Sequence, residues 1–274
     1  MPVFQSNHFN FSHINTFVFD LDGVVYLGDQ PISDAPESIN ALMTNGKSVY
    51  FLTNNSSVTR LAYVSKLERM GIHIDEPNVY TSAYATGLYL QAKGASGSNA
   101  FVIGESGVQQ EISAVGVNVF TDPSSVSSAV IDYVVVGIDR SFTYEKLNFG
   151  HECVVRGHAE LIATNRDSTY PSEIGTVPGA GSIVMSVASS TGREPITIGK
   201  PEPTALLEII GKSNDPKDTF LMVGDRLDTD IACGSRAGVR TALVLTGVTS
   251  RSSAEAAFGD EKPTYIIGSL KDLL

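Results

Sequence analysis

Strand-like and helix-like patterns alternate along this chain from one end to the other. Apolar runs rich in β-branched and aromatic residues occur at Thr16 to Phe19, Ser48 to Leu52 and Asn78 to Thr81, and each reads as a short strand. Between them, Ala35 to Asn45 is bracketed by Pro36 and Gly46 with Asp34 as its expected N-cap. Ser57 to Met70 sets Leu61, Val64, Leu67 and Met70 at helical spacing ahead of Gly71. A second block follows, with strands expected at Ala100 to Ile103, Val117 to Phe120, Tyr133 to Val136 and Glu160 to Ala163. Its helices are expected at Gly107 to Ala114, Thr143 to Arg156 and Gly181 to Ser190. Ile196 to Ile198, a helix opened by Pro203, the strand Thr219 to Val223, a helix Asp228 to Gly238 and the strand Arg240 to Leu245 then resume the first pattern. Such alternation predicts an α/β fold whose mostly parallel sheet is covered on both faces.

Polar fragments with related chemistry stand at the ends of four of these strands. In Phe19-Asp20-Leu21-Asp22-Gly23 the apolar run breaks into two aspartates and a glycine. The end of such a strand is where open α/β sheets keep their ligand crevice. If the extended conformation persists, Asp20 and Asp22 point to the same side. Two carboxylates that close repel unless a cation joins them or one holds a proton. An Asp-Gly pair is also ordinary hairpin punctuation, so this fragment alone leaves both readings open.

The second fragment, Thr53-Asn54-Asn55-Ser56-Ser57, supplies hydroxyls, amides and backbone N–H groups at a helix start, which suit an anion or a plain helix cap. The third, Gly199-Lys200-Pro201, offers close backbone approach and a point charge, or a surface loop. The fourth, Gly224-Asp225-Arg226-Leu227-Asp228-Thr229-Asp230, places Asp225 at a strand tip and Asp230 one turn on. Magnesium prefers one or two carboxylates completed by water and phosphate, which Asp20, Asp225 and a main-chain carbonyl would provide. No P-loop pattern occurs, which disfavours a nucleoside triphosphatase of that kind.

Together the four fragments resemble the haloacid-dehalogenase-like (HAD) phosphatase superfamily. Asp20-Leu21-Asp22-Gly23 is similar to its first motif, Thr53 to its second, Lys200 to its third, and Gly224-Asp225 with Asp230 to its fourth. Asn54-Asn55, Gly199-Lys200-Pro201 and the Gly224 to Asp230 run resemble the NagD-like branch, which includes 4-nitrophenylphosphatases and carries a large α/β cap between its second and third motifs. The resemblance implies a doubly wound core of residues 1–82 plus 196–274 and an inserted cap of 83–195. It implies that Asp20 is the nucleophile of an aspartyl-phosphate mechanism and Asp22 the acid and base. Mg²⁺ would be held by Asp20, Asp225 and the Asp22 carbonyl, and phosphoryl oxygens by Thr53, Asn54, Asn55 and Lys200. Asp230 would orient metal waters or Lys200 from behind. Dehalogenases of this fold lack the second acid, so Asp22 favours phosphate esters. The cap loop from Thr164 to Pro171 would meet the leaving group, with Tyr170 where some relatives carry histidine, and Gly137 to Arg140 is a weaker candidate of the same kind.

Composition narrows the partners. The chain has 274 residues, 42% hydrophobic and 18% charged, which fits a globular protein of one or two domains. A net charge of −11 argues against nucleic acid or an anionic membrane. The expected partner is a small phosphorylated metabolite, and homo-oligomerisation is left open. Cys153 and Cys233 are too few for a disulfide framework. Met1 to His13 lacks a basic segment followed by an apolar one, and no apolar run reaches membrane-spanning length, so the cytoplasm is the expected compartment. His151, Cys153 and His158 match no metal-ligand spacing, and Cys233 reads as a small buried apolar residue. Alternatives to a hydrolase are a phosphotransferase on the same fold and a non-catalytic phosphometabolite sensor. A sensor has no use for an Asp20 nucleophile paired with an acid.

Overall fold

The computed structural model describes residues 9–126, 129–172 and 175–274. The opening stretch read above for a leader therefore lies outside the described residues as far as His8. Two compact units emerge, one of residues 1–51, 67–74 and 209–274, the other of residues 52–66 and 75–208.

In the first unit parallel strands run in the order Tyr265–Ile267, Arg240–Val244, Phe220–Gly224, Thr16–Phe19 and Ser48–Thr53. Every residue of Thr16–Phe19 and of Phe220–Gly224 is buried, as a central parallel strand covered on two faces requires. Phe19 stands opposite both Phe51 and Val223, so Asp20 follows its strand at the level of Gly224, the last residue of the neighbouring one. Helix Ala35–Thr44 buries Ile39 and Leu42, and Asp34 is its N-cap residue by position, although its side chain makes no cap hydrogen bond. Gly46 and Gly71 adopt the positive φ expected of helix stops.

The second unit has its own parallel sheet, in the order Ile196–Thr197, Glu160–Ala163, Tyr133–Val136, Asn99–Ile103 and Asn118–Phe120. Phe101, Ile103, Val134, Val136, Leu161 and Ala163 pack there with Val184 and Val187 of helix Ala180–Thr191. An antiparallel hairpin, Thr169–Ser172 with Gly175–Pro178, stands apart from that sheet.

Two expectations are corrected and one helix is added. Ile196–Thr197 does not rejoin the first sheet; it pairs in parallel with Ile162 and Ala163 of the second. The helix expected from Ser57 begins only at Arg60, because Asn55 Oδ1 accepts from the Ser57 N–H and hydroxyl. The carbonyls of Ser56 and Ser57 in turn accept the N–H groups of Val108 and Gly107, satisfying the start of helix Ser106–Ala114. Finally, helix Ser82–Ala92 was not foreseen. Among the described residues, no helix is long and apolar enough to cross a membrane.

Candidate active site

Asp20 follows the last residue of a buried strand, and its backbone N–H donates to the Val223 carbonyl at 2.8 Å. The strand does not continue through Asp22 as an extended segment. The Leu21 carbonyl instead accepts from Val24, Val25 and Tyr26, a tight turn that Gly23 permits with φ +83°.

Ligand oxygens of Asp20, Asp225 and Asp230 lie within 4.8 Å of one another, and all three residues are buried, at 8, 3 and 1% exposure. Asp22 is half-buried and is not a member of that cluster. Three buried carboxylates at such separations demand positive charge if they are to stay ionised. An all-oxygen donor set of this kind suits a hard divalent cation such as magnesium.

Two glycines make room for Asp225. A Cβ on Gly23 would come within 2.6 Å of Asp225 Oδ2, and one on Gly247 would overlap the same oxygen. Val248 N–H donates to Oδ2 at 2.8 Å, and Thr246 Oγ1 donates to the Gly23 carbonyl at 2.8 Å. Asp230 approaches because Leu227–Ile231 is a π-helical turn, and because Gly224 has no side chain in its way. Arg226 N–H donates to Asp230 Oδ2 at 3.1 Å, fixing that carboxylate.

The remaining predicted residues belong to the second unit. Thr53 and Lys200 are buried at 4 and 3% exposure. Thr53 Oγ1 accepts the Asn55 N–H at 3.1 Å, and its hydroxyl proton has no acceptor among the described residues. Asn55 uses its carbonyl oxygen on Ser57 and keeps its Nδ2 donor uncommitted among the described residues. Lys200 Nζ donates to the Leu52 carbonyl at 3.0 Å. Asn54 differs from its neighbours. Its Nδ2 is already directed at Asp167 and at the Lys200 carbonyl.

Two stretches match family models, residues 17–118 that of "haloacid dehalogenase-like hydrolase" and residues 197–273 a second haloacid-dehalogenase-hydrolase-like model. The chain is 38% identical to the 5'-nucleotidase YutF of Bacillus subtilis, over 93% of its own length and 96% of the relative's. It is 35% identical to phosphoglycolate phosphatase 1A of Arabidopsis thaliana, over 95% of its own length and 76% of the relative's. This chain belongs to the haloacid dehalogenase-like hydrolases. Among solved structures of this family, a glycerol phosphate phosphatase from Mycobacterium tuberculosis in complex with magnesium is similar at 31% identity. Its TM-score is 0.87, with 96% of this chain and 77% of that one covered.

Sequence reasoning about this hydrolase overlooked Gly247 and the pairing of Asp167, a residue of the candidate cap loop, with Asn54. Gly247 had a signal, since Thr246-Gly247 follows the strand Arg240–Val244 as Gly23 follows Asp22. The pairing of Asp167 had none, because only folding brings it to Asn54, 113 positions away. His151, Cys153 and His158, which match no metal-ligand spacing, are not among the clustered side chains of the described residues. Burial pushes the Cys153 thiol up to about 11, so it is protonated and inert at neutral pH.

Proposed function

We propose that this protein, a phosphomonoester hydrolase, cleaves small phosphorylated metabolites through an aspartyl-phosphate formed on Asp20. The observation that carries this reading is the buried cluster of Asp20 and Asp225, at the ends of adjacent parallel strands, with Asp230 of the following turn. A carboxylate nucleophile splits one difficult displacement into two easier ones. An Asp20 oxygen attacks phosphorus, and the bond to the ester oxygen breaks as Asp22 hands that oxygen a proton. Asp22, now a carboxylate, takes a proton from water. That water attacks the phosphorus, releasing inorganic phosphate and regenerating Asp20.

Thr53, Asn55 and Lys200 supply donors to the phosphoryl oxygens, the electrostatic work that dominates phosphoryl transfer. Support comes from the hydroxyl proton of Thr53 and the amide of Asn55, both uncommitted among the described residues. Mg²⁺ fits the carboxylates of Asp20 and Asp225 with the Asp22 carbonyl, and when bound it offsets the repulsion between an anionic nucleophile and an anionic ester. Asp230, anchored by the Arg226 N–H, orients that set. Two buried free thiols suit a reducing compartment, which we take to be the cytoplasm.

The relatives named above are called phosphatases of phosphoglycolate and glycerol phosphate and a 5'-nucleotidase, so the substrate class is small and the individual substrate is set by experiment. Phosphate release should be followed over phosphoglycolate, glycerol phosphate, nucleoside monophosphates, sugar phosphates and 4-nitrophenyl phosphate, with Mg²⁺ and with chelator. Mg²⁺-dependent release from at least one ester is the expected result. Release from none, or release indifferent to chelator, would remove the reading.

A further inference from the structure

Lys200 is gripped from both ends by the loop after strand Ser48–Thr53. Its ammonium donates to the Leu52 carbonyl at 3.0 Å, and its own carbonyl accepts Asn54 Nδ2 at 2.9 Å. The same Nδ2 faces both Asp167 carboxylate oxygens at 3.1 Å. An amide nitrogen carries two hydrogens, and these acceptors claim both.

At the other end of the carboxamide, Asn54 Oδ1 is buried and has no donor among the described residues. It abuts Gly199, where a Cβ would come within 2.6 Å of it. Turning the amide over would set its oxygen against a carboxylate and a carbonyl, so the observed orientation is the one its surroundings select. An oxygen is then all that the Asn54 side chain has left, and an oxygen cannot bind a phosphoryl oxygen. The carbonyl of Asn54 is committed as well. Asn54 C=O accepts Ser82 Oγ at 2.5 Å and Asn165 Nδ2 at 2.7 Å, while the Asp167 N–H donates to Asn165 Oδ1 at 3.1 Å. Gly199 N–H closes the arrangement on the Thr164 carbonyl at 2.8 Å.

We infer that the Asn54 side chain positions Lys200 rather than binds substrate: its carboxamide clasps Asp167 to the main chain of Lys200 and so fixes where the lysine ammonium sits. Asp167 is the second positioning residue of the clasp. The inference rests on the phosphatase reading above, in which Lys200 meets the phosphoryl group.

The test is a cycle of four full-length proteins, wild type, Asn54→Asp, Asp167→Asn and the double variant, assayed on 4-nitrophenyl phosphate with Mg²⁺ and each melted thermally. Asn54→Asp sets a carboxylate against Asp167 and should lower kcat/KM by about thirtyfold or more, while Asp167→Asn, which keeps one acceptor, should lower it only about threefold. In the double variant the amide introduced at position 167 can donate to the carboxylate introduced at position 54, and kcat/KM should recover about tenfold over Asn54→Asp alone. The carboxylate at position 54 still cannot donate to the Lys200 carbonyl, so recovery stays incomplete; a double variant as poor as Asn54→Asp that also shows no coupling between the two positions in melting temperature would overturn the clasp. If Asn54→Asp does not fold, Asp167→Ala decides: kcat should fall about tenfold with KM changed less than about twofold, and an unchanged kcat overturns the proposal. Should the wild type release no phosphate at all, the phosphatase reading falls, and coupling between positions 54 and 167 in the four melting temperatures alone decides the clasp.

Discussion

Asp20 combines two properties that conflict in most proteins: it is buried, and it shares its neighbourhood with two other carboxylates. Replacing it by the nearly isosteric asparagine removes the nucleophile and relieves repulsion together. Asp20→Asn should therefore cut phosphate release by at least about a thousandfold. Its melting temperature in chelator should not fall below that of the wild type. Comparable turnover in the variant would dismiss the nucleophile. A second residue, Cys153, gives a pH prediction. Its folded pKa is raised to about 11 from 9.0, chiefly by desolvation, so folding favours the protonated thiol. The stability it contributes is complete below about pH 9 and is lost as pH rises from about 9 to about 11. Iodoacetamide at pH 8 should leave Cys153 unlabelled until the protein is unfolded, and mass spectrometry of the native protein checks it.

At the scale of elements, what the sequence made legible depended on whether a signal was local. The strand Thr16–Phe19 appears where the apolar run lies, and Asp225 stands at a strand tip as expected. Asp230 was expected beside the metal site from the motif resemblance alone; the means of its approach to Asp225, a π-helical turn and the bare Cα of Gly224, left no mark in the pattern. Helix Ser82–Ala92 escaped for another reason. It buries Ser82, Ala83, Ala85, Thr86, Gly87 and Leu90 around much of its circumference, so no apolar stripe marks it. Gly87 shows why small residues are there: a Cβ would come within 2.8 Å of the Glu111 carbonyl on the neighbouring helix. The strand Ile196–Thr197 was recognisable as extended, but alternation names no pairing partner, and its sheet was misjudged. The start of the overlooked helix can be tested. Fully buried Thr81 caps it by accepting the Tyr84 N–H at 3.0 Å, so Thr81→Ala should cost about 1–2 kcal/mol in chemical denaturation. A loss below a few tenths would show the cap to be idle.

For the molecule as a whole, the governing quantity is negative charge. The chain carries −11 at neutral pH, and a buried trio of carboxylates adds locally to that field. Net charge of this size repels nucleic acid and the phosphate esters this enzyme is proposed to bind, so a cation must reverse the field where an ester docks. A ligand that binds the folded chain and not the unfolded one stabilises by mass action. Mg²⁺ at a hundred times its dissociation constant should add about 2.7 kcal/mol, which for a chain of this size is a rise of about 5–10 °C in melting temperature. The rise should shrink sharply in Asp225→Asn, which loses one of the carboxylates that hold the ion, and persist in Asn54→Asp, whose change lies in the clasp on Lys200. Differential scanning calorimetry with chelator and with Mg²⁺ measures all three. A wild-type melting temperature unmoved by saturating Mg²⁺ would mean that the carboxylates have found their compensation within the chain, and the metal-dependent mechanism would go with it.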